Sequence, residues 1–211
     1  MRRLPVFFLI DTSGSMKGEP IEALNNALTG MISSLRSDPQ ALESVWICII
    51  TFDIDAKIIV PLTELSDFQL PIIQCPRSGP TSTGKALMLL REIVTNQIIT
   101  TSKEMKGDWR PLLFLFTDGE PSDVNLYKQE IPFIKQIGFA NIVACAVGPK
   151  CNNNTLKLLT DTVIQLETAD SATLKTFFMW VSQTIDQGNK SLGVNDSIKL
   201  PPVPNTVHLI I

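Results

Sequence analysis

The chain has 211 residues, with 18 Lys and Arg against 21 Asp and Glu for a formal charge of −3. A domain of this length buries roughly 70 % of the surface its unfolded chain exposes, so it needs no disulfide or metal staple to fold. Its 44 % hydrophobic and 18 % charged residues exclude a disordered chain. The absence of a Lys/Arg block excludes a nucleic-acid footprint, and no apolar run approaches the roughly 20 residues of a membrane span.

In chain order, Leu4–Ile10 (LPVFFLI) reads as a strand buried on both faces. Arg2-Arg3 before it imitates the start of a secretory signal, but the run stops at Asp11 with no small-x-small cleavage site. Glu19–Leu35 carries Ile21, Leu24, Leu28, Met31, Ile32 and Leu35 at helical spacing. Val45–Phe52 is a second buried strand, and Ala56–Val60 follows closely enough for an antiparallel edge hairpin. Thr83 to about Thr101 predicts a helix, Leu112–Phe116 a strand, and Val124–Ile137 a helix stopped at Gly138. Asn141–Val147, Thr155–Leu159 and Val163–Leu166 read as strand, short helix and strand, and Ser171–Ile185 as a closing helix capped by Asp170 or Ser171. Residues 1–187 thus form one domain, and 188–211 a Pro-containing linker or tail whose end, Thr206–Ile211, is placed to add an edge strand. Strand–helix alternation with near-continuous apolar strands predicts an α/β domain. Its sheet is doubly wound and mainly parallel, with one antiparallel edge strand and helices on both faces. Cys48, Cys75, Cys145 and Cys151 show no C-x-x-C spacing and read as reduced thiols, so a cytoplasmic protein is expected.

Three polar loops fall at one end of such a sheet. The first strand ends in Asp11-Thr12-Ser13-Gly14-Ser15, and the fourth ends in Thr117-Asp118-Gly119. Between them Ser78-Gly79-Pro80-Thr81-Ser82-Thr83-Gly84 opens the long helix. In a doubly wound sheet ligands bind at the carboxyl ends of the strands, so Asp11 and Asp118 should converge there. Two carboxylates with several hydroxyls, and no His or Cys, make an all-oxygen site suited to Mg²⁺, Mn²⁺ or Ca²⁺ and expected to discriminate against zinc. Taken singly, each loop also reads as ordinary chemistry: Ser13 and Ser15 as helix caps, Asp118-Gly119 as a turn.

The pattern Asp11-x-Ser13-x-Ser15, Thr81, Thr117-Asp118-Gly119 resembles the metal-ion-dependent adhesion site of von Willebrand factor A (VWA) domains, and the resemblance covers roughly residues 4–187. The stretches RRLPVFFLIDTSGSMKGEPIEAL, ITFDIDAKIIVPLTEL, KGDWRPLLFLFTDGEPSD and LETADSATLKTFFMWVS are similar to the bacterial TerY-like branch, which is linked to tellurium resistance and stress signalling. The resemblance implies a Rossmann-like VWA fold in which Ser13 and Ser15 ligate the metal directly. Thr81 would join when a partner is bound, and Asp11 and Asp118 would hold the ion directly or through water. Gly14, Glu120 and Asp123 would shape a partner-binding rim, although Glu120 and Asp123 read more readily as solvated acids at a helix start. Pro80 stands where the family's loop has glycine, which restricts the approach to Thr81. The implied function is binding and not turnover, with an Asp or Glu of a partner protein completing the metal sphere. A Ser/Thr kinase and a PP2C-type phosphatase are the partners the branch implies, with no nucleic acid and no membrane.

The main rival is a P-loop nucleotide-binding or hydrolysing protein. Gly79–Lys85 fits G-x-x-x-x-G-K, and Asp118 after an apolar strand imitates a Mg²⁺-holding acid. Position 86 is Ala, however, so the hydroxyl that should hold Mg²⁺ is missing, and Cys75-Pro76-Arg77-Ser78 makes a poor buried strand. An aspartyl-phosphate enzyme would want an acid at position 13, which is Ser. A serine hydrolase would want a G-x-S-x-G elbow and a nearby histidine, and the one histidine is His208.

Overall fold

The computed structural model describes residues 2–75, 79–102, 104–148, 151–191, 200–204 and 208–210. Ser78 of the hydroxyl-rich loop and tail residues 192–199, 205–207 and 211 therefore lie outside the described residues, as do the side chains of 189–191. The elements are β1 (Leu4–Asp11), α1 (Glu19–Arg36), α2 (Pro39–Ser44), β2 (Val45–Phe52), β3 (Ala56–Glu64), α3 (Thr83–Gln97), β4 (Leu112–Thr117), α4 (Val124–Ile137), β5 (Asn141–Val147), α5 (Asn153–Lys157), β6 (Thr162–Leu166), α6 (Ser171–Ser191) and β7 (His208–Ile210).

Alternation within each strand builds two cores. Leu4, Val6, Phe8 and Ile10 of β1 join α1 and α6 on one face, and Phe7 and Leu9 join α3 and α4 on the other. Successive side chains of a strand point to opposite faces, so a strand covered on both sides must be apolar throughout, as LPVFFLI is. The seven strands run in the order β3-β2-β1-β4-β5-β6-β7. The pairs among β2, β1, β4, β5 and β6 are parallel, and β3 and β7 pair antiparallel at the two edges. The antiparallel edge strand expected after Val45–Phe52 is β3, and β7 adds a second. Strand order reverses between β1 and β4. Loops leaving the two strands there diverge to opposite faces, which opens a crevice at their carboxyl ends.

Helix α2 has no counterpart in the sequence expectation and β3 runs on to Glu64, past Val60; three further elements differ for a visible reason. Helix α3 stops at Gln97, short of Thr101, because Asp108 captures the chain: Ile99 N–H donates to its carboxylate at 2.8 Å, and its own N–H donates to Ile99 O at 2.7 Å. Asp108 is itself held by Arg3 through Nε at 2.8 Å. At the other end of the chain, α6 continues to Ser191, beyond Ile185 and past residue 188, where the sequence places the linker. The tail then folds back, with Trp180 Nε1 donating to Pro201 O at 3.1 Å and Leu200 and Val203 packing on the core. Helix α5 begins two residues early, capped by the Asn152 side chain, which accepts from Asn154 N–H at 3.0 Å.

Helix α4 ends as expected at Gly138, whose φ of +76° is left-handed. Such a φ carries no penalty for glycine and costs a Cβ-bearing residue about 1 kcal/mol. Nothing lies within 4 Å of a Cβ placed there. Gly138→Ala is therefore expected to lower stability by about 1 kcal/mol through backbone conformation alone, read as a shift in denaturant midpoint at unchanged m-value. No helix among the described residues is long and apolar enough to cross a membrane, and all four cysteines are free thiols.

Candidate metal centre

Asp11 ends β1 with its side chain fully buried. Its Oδ1 accepts from Ser13 N–H at 2.8 Å and its Oδ2 from the Thr117 hydroxyl at 2.6 Å. The register of β1 with β4, which pairs Ile10 with Phe116, sets Asp11 beside Thr117 at the next step. Thr117 belongs to the motif read in the sequence, but its role, holding Asp11, is not assigned there. Its place directly before Asp118 on a strand parallel to β1 was the available clue. Burial pushes the Asp11 carboxyl up from 3.8 to about 6, and the nearby Asp118 charge adds to the rise. Hydrogen bonds from Thr117 and from the Ser13 backbone and side chain pull the other way.

From Asp11 the chain enters a 3-10 turn, Gly14–Met16, which brings Ser15 back beside Ser13. The two hydroxyl oxygens stand 3.3 Å apart, and Ser15 Oγ donates to Asp118 Oδ1 at 2.9 Å. Ser13 is buried, Ser15 exposed and Asp118 half-buried, so this row of oxygens runs from the interior to the surface. Thr81 is buried at the same end of the sheet, and a Cβ built on Gly119 would lie 3.0 Å from its Oγ1. Thr81 is fixed by its backbone: its carbonyl accepts from Ser122 N–H at 2.8 Å and Thr83 N–H at 3.0 Å. The structure thus brings together Asp11, Ser13, Ser15, Thr81 and Asp118 from three loops.

This donor set fits a hard divalent cation. The Asp11 carboxylate has about four lone-pair sites, and its hydrogen bonds from Thr117 and Ser13 leave it free to face an ion. The hydroxyls of Ser13 and Ser15 turn freely to aim a lone pair at an ion, and the row opens to solvent at Ser15. Among the described residues, no three His, Cys, Asp or Glu side chains cluster closely enough to hold a metal ion by themselves. The set therefore depends on neutral hydroxyls, which leave a dication's charge undercompensated.

The rim residues have different surroundings. Gly14 lies half-buried in the 3-10 turn and Glu120 is exposed. The Asp123 carboxylate is engaged elsewhere: Oδ1 accepts from Gly84 N–H and Oδ2 from Lys85 N–H, each at 2.9 Å. It caps α3 from a distant part of the chain. This contact also answers the P-loop reading. The amides that would cradle a phosphate at the start of α3 already hold a carboxylate. The Lys85 ammonium, meanwhile, donates to Ile54 O at 2.8 Å and pairs with Asp55. A second contact unforeseen in the sequence is Cys151, whose Sγ lies 3.5 Å from Gly119 O behind the Asp118 loop.

Comparison with known proteins adds the family. The model of the von Willebrand factor type A domain matches residues 6–179. No curated protein matches the chain. Among solved structures, proximal thread matrix protein 1 from the mussel byssus superposes with a TM-score of 0.65 at 18 % identity, over 86 % of this chain and 46 % of that one. The pilus adhesin SpaC from Lactobacillus rhamnosus GG gives 0.69 at 12 %, over 89 % and 31 %. A von Willebrand factor type A protein from Catenulispora acidiphila gives 0.62 at 18 %, over 87 % and 42 %. The chain spans less than half the length of each of these three, and the likeness to them is one of fold. The mussel protein has also been solved with zinc occupying its MIDAS motif.

Proposed function

The chain belongs to the von Willebrand factor type A family, and from that premise we propose that it is a metal-dependent protein-interaction module. Domains of this family bind protein partners, commonly through a metal-ion-dependent adhesion site, and are generally not enzymes. Here Ser13 and Ser15 would hold the ion through their hydroxyls, Asp11 and Asp118 would hold it directly or through water, and Thr81 would join when a partner is engaged. Mg²⁺ is the proposed ion, with Mn²⁺ or Ca²⁺ as substitutes. Bound there, it supplies an open position for an Asp or Glu side chain of another protein. The observation that carries this reading is the row Ser13 Oγ, Ser15 Oγ, Asp118 Oδ1, spaced at 3.3 and 2.9 Å beside a buried carboxylate and ending at the surface. The sole histidine, His208, stands on β7 next to Glu167, 3.6 Å from its carboxylate, and is given no part in catalysis. The long stretches similar to the TerY-like branch support a cytoplasmic role in a phosphorylation-based stress response, with a Ser/Thr kinase and a PP2C-type phosphatase as partners.

The test is capture of such partners on the immobilised protein with Mg²⁺, with EDTA, and with a Ser13→Ala variant. Retention in Mg²⁺ and loss in both other arms is the expected result. A partner held equally in all three does not use the metal, and the reading fails. Calorimetric titration of Mg²⁺, Mn²⁺, Ca²⁺ and Zn²⁺ into the same samples ranks the ions.

A further inference from the structure

A cavity of about 370 Å³ adjoins the oxygen cluster and shares two residues with it, Ser15 and Asp118. Met16, Pro20, Val147 and Ala169 give the rest of its lining a mainly apolar character. Gly148 on one side and the 167–169 turn on the other are held by hydrogen bonds. On the β5 side, Gly148 O accepts from Gln165 Nε2 and Gly148 N–H donates to Leu166 O, each at 2.8 Å. On the β6 side, the Asp170 carboxylate accepts from Ala172 and Thr173 N–H at 2.9 Å, from the Thr173 hydroxyl at 2.8 Å and from the Thr168 hydroxyl.

We propose that this cavity is a specificity subsite that takes an apolar side chain of the same partner whose carboxylate reaches the metal. The inference rests on the metal-dependent reading above and adds the partner's chemistry. Three observations carry it. Since the cavity and the metal centre share Ser15 and Asp118, a segment bound at one must pass over the other. The lining offers apolar surface. Among the described lining residues, the one charged side chain outside the metal centre is Glu167, which is acidic, so a second acidic side chain is repelled there. The preferred partner segment therefore carries a single acid with an apolar residue near it. In an extended segment, residues two apart share a face about 7 Å from each other.

Three synthetic peptides test this on the full chain with Mg²⁺: acetyl-Leu-Gly-Glu-Gly-Leu-amide, its counterpart with Gly for both Leu, and the Leu peptide with Gln for Glu. Amide chemical shifts are followed by NMR, with a preceding Mg²⁺ titration read at Ser13, Ser15 and Asp118. The expected result is that the Leu peptide binds about tenfold tighter than the Gly peptide and also shifts Gly148 and Ala169. Ala169→Phe, which fills the cavity, should erase that advantage while leaving the Mg²⁺ response intact. Equal affinity of the two Glu peptides, with shifts confined to the oxygen cluster, overturns the subsite and leaves the metal reading standing. A chain with no Mg²⁺ response, or one that binds the Gln peptide as well as the Glu peptide, overturns the metal reading and the subsite with it.

Discussion

In the absence of divalent ions at neutral pH, Asp11→Asn is expected to melt several degrees above the wild-type chain and to have lost its response to Mg²⁺. The cause is the burial of Asp11. Its carboxyl titrates near 6 in the fold and near 3.8 when exposed, so between those values the native state binds a proton that the unfolded chain has released. Stability from this group is therefore full below about pH 4 and lost as pH rises through about 6, a difference of about 3 kcal/mol. Asparagine carries no charge, its oxygen can accept from Ser13 N–H, and its amide can donate to Thr117 Oγ1. A gain of about 1–3 kcal/mol is expected at neutral pH, and none near pH 4, where the wild-type group is already neutral. A divalent ion reverses the order at neutral pH. The wild type gains RT ln(1 + [L]/Kd) from binding and the variant gains nothing. Thermal melts of both proteins at the two pH values, with and without Mg²⁺, measure the whole cycle. An Asp11→Asn chain less stable than wild type at neutral pH without metal would show that the carboxylate is retained for the fold and not for the ion.

The same burial explains what was legible in the sequence. A strand covered on both faces must be a continuous apolar run, so β1, β2, β4 and β5 announce themselves, and their ends mark where the polar loops converge. Asp11, Ser13, Ser15 and Asp118 follow from that, because each lies within a few residues of a strand end. The illegible contacts are those joining residues far apart in the chain. Thr117 binds Asp11 across 106 positions, and no local pattern separates it from an ordinary strand-end threonine. Asp123 reads as an acid at the start of its own helix, α4, yet its carboxylate caps α3 from 39 positions away. Helix α3 keeps helical periodicity past Gln97 and is ended by Asp108, a residue outside the pattern. The tail's return over α6, with Trp180 bonded to Pro201, is likewise absent from any window of sequence short enough to show a period.

Gly84→Ala is expected to cost about 3 kcal/mol and to weaken metal binding, although residue 84 contributes no ligand. A Cβ at this position would lie 2.5 Å from Tyr127 N, 2.8 Å from Asp123 Oδ2 and 2.9 Å from Leu126 C. Two of those atoms are backbone of α4 and cannot swing aside as a flexible side chain would. The helices must separate, and overpacking a fixed contact costs about 1–3 kcal/mol. The separation also pulls the Asp123 carboxylate away from Gly84 and Lys85 N–H, and losing such a cap adds about 1 kcal/mol. The damage reaches the metal centre because α3 and α4 begin at two of its three loops. Thr81 lies two residues before α3, its carbonyl holds Ser122 N–H, and Asp118 lies six residues before α4. Asp123→Asn separates the two contributions. It keeps the glycine and one acceptor oxygen, so it should lose the cap in part, weaken stability by about 1 kcal/mol and leave metal affinity near wild type. Denaturant unfolding and Mg²⁺ titration of both variants decide the point. If Gly84→Ala binds metal as the wild type does, the Thr81 and Asp118 loops are positioned independently of the α3–α4 contact, and the coupling argued from Gly84 is wrong.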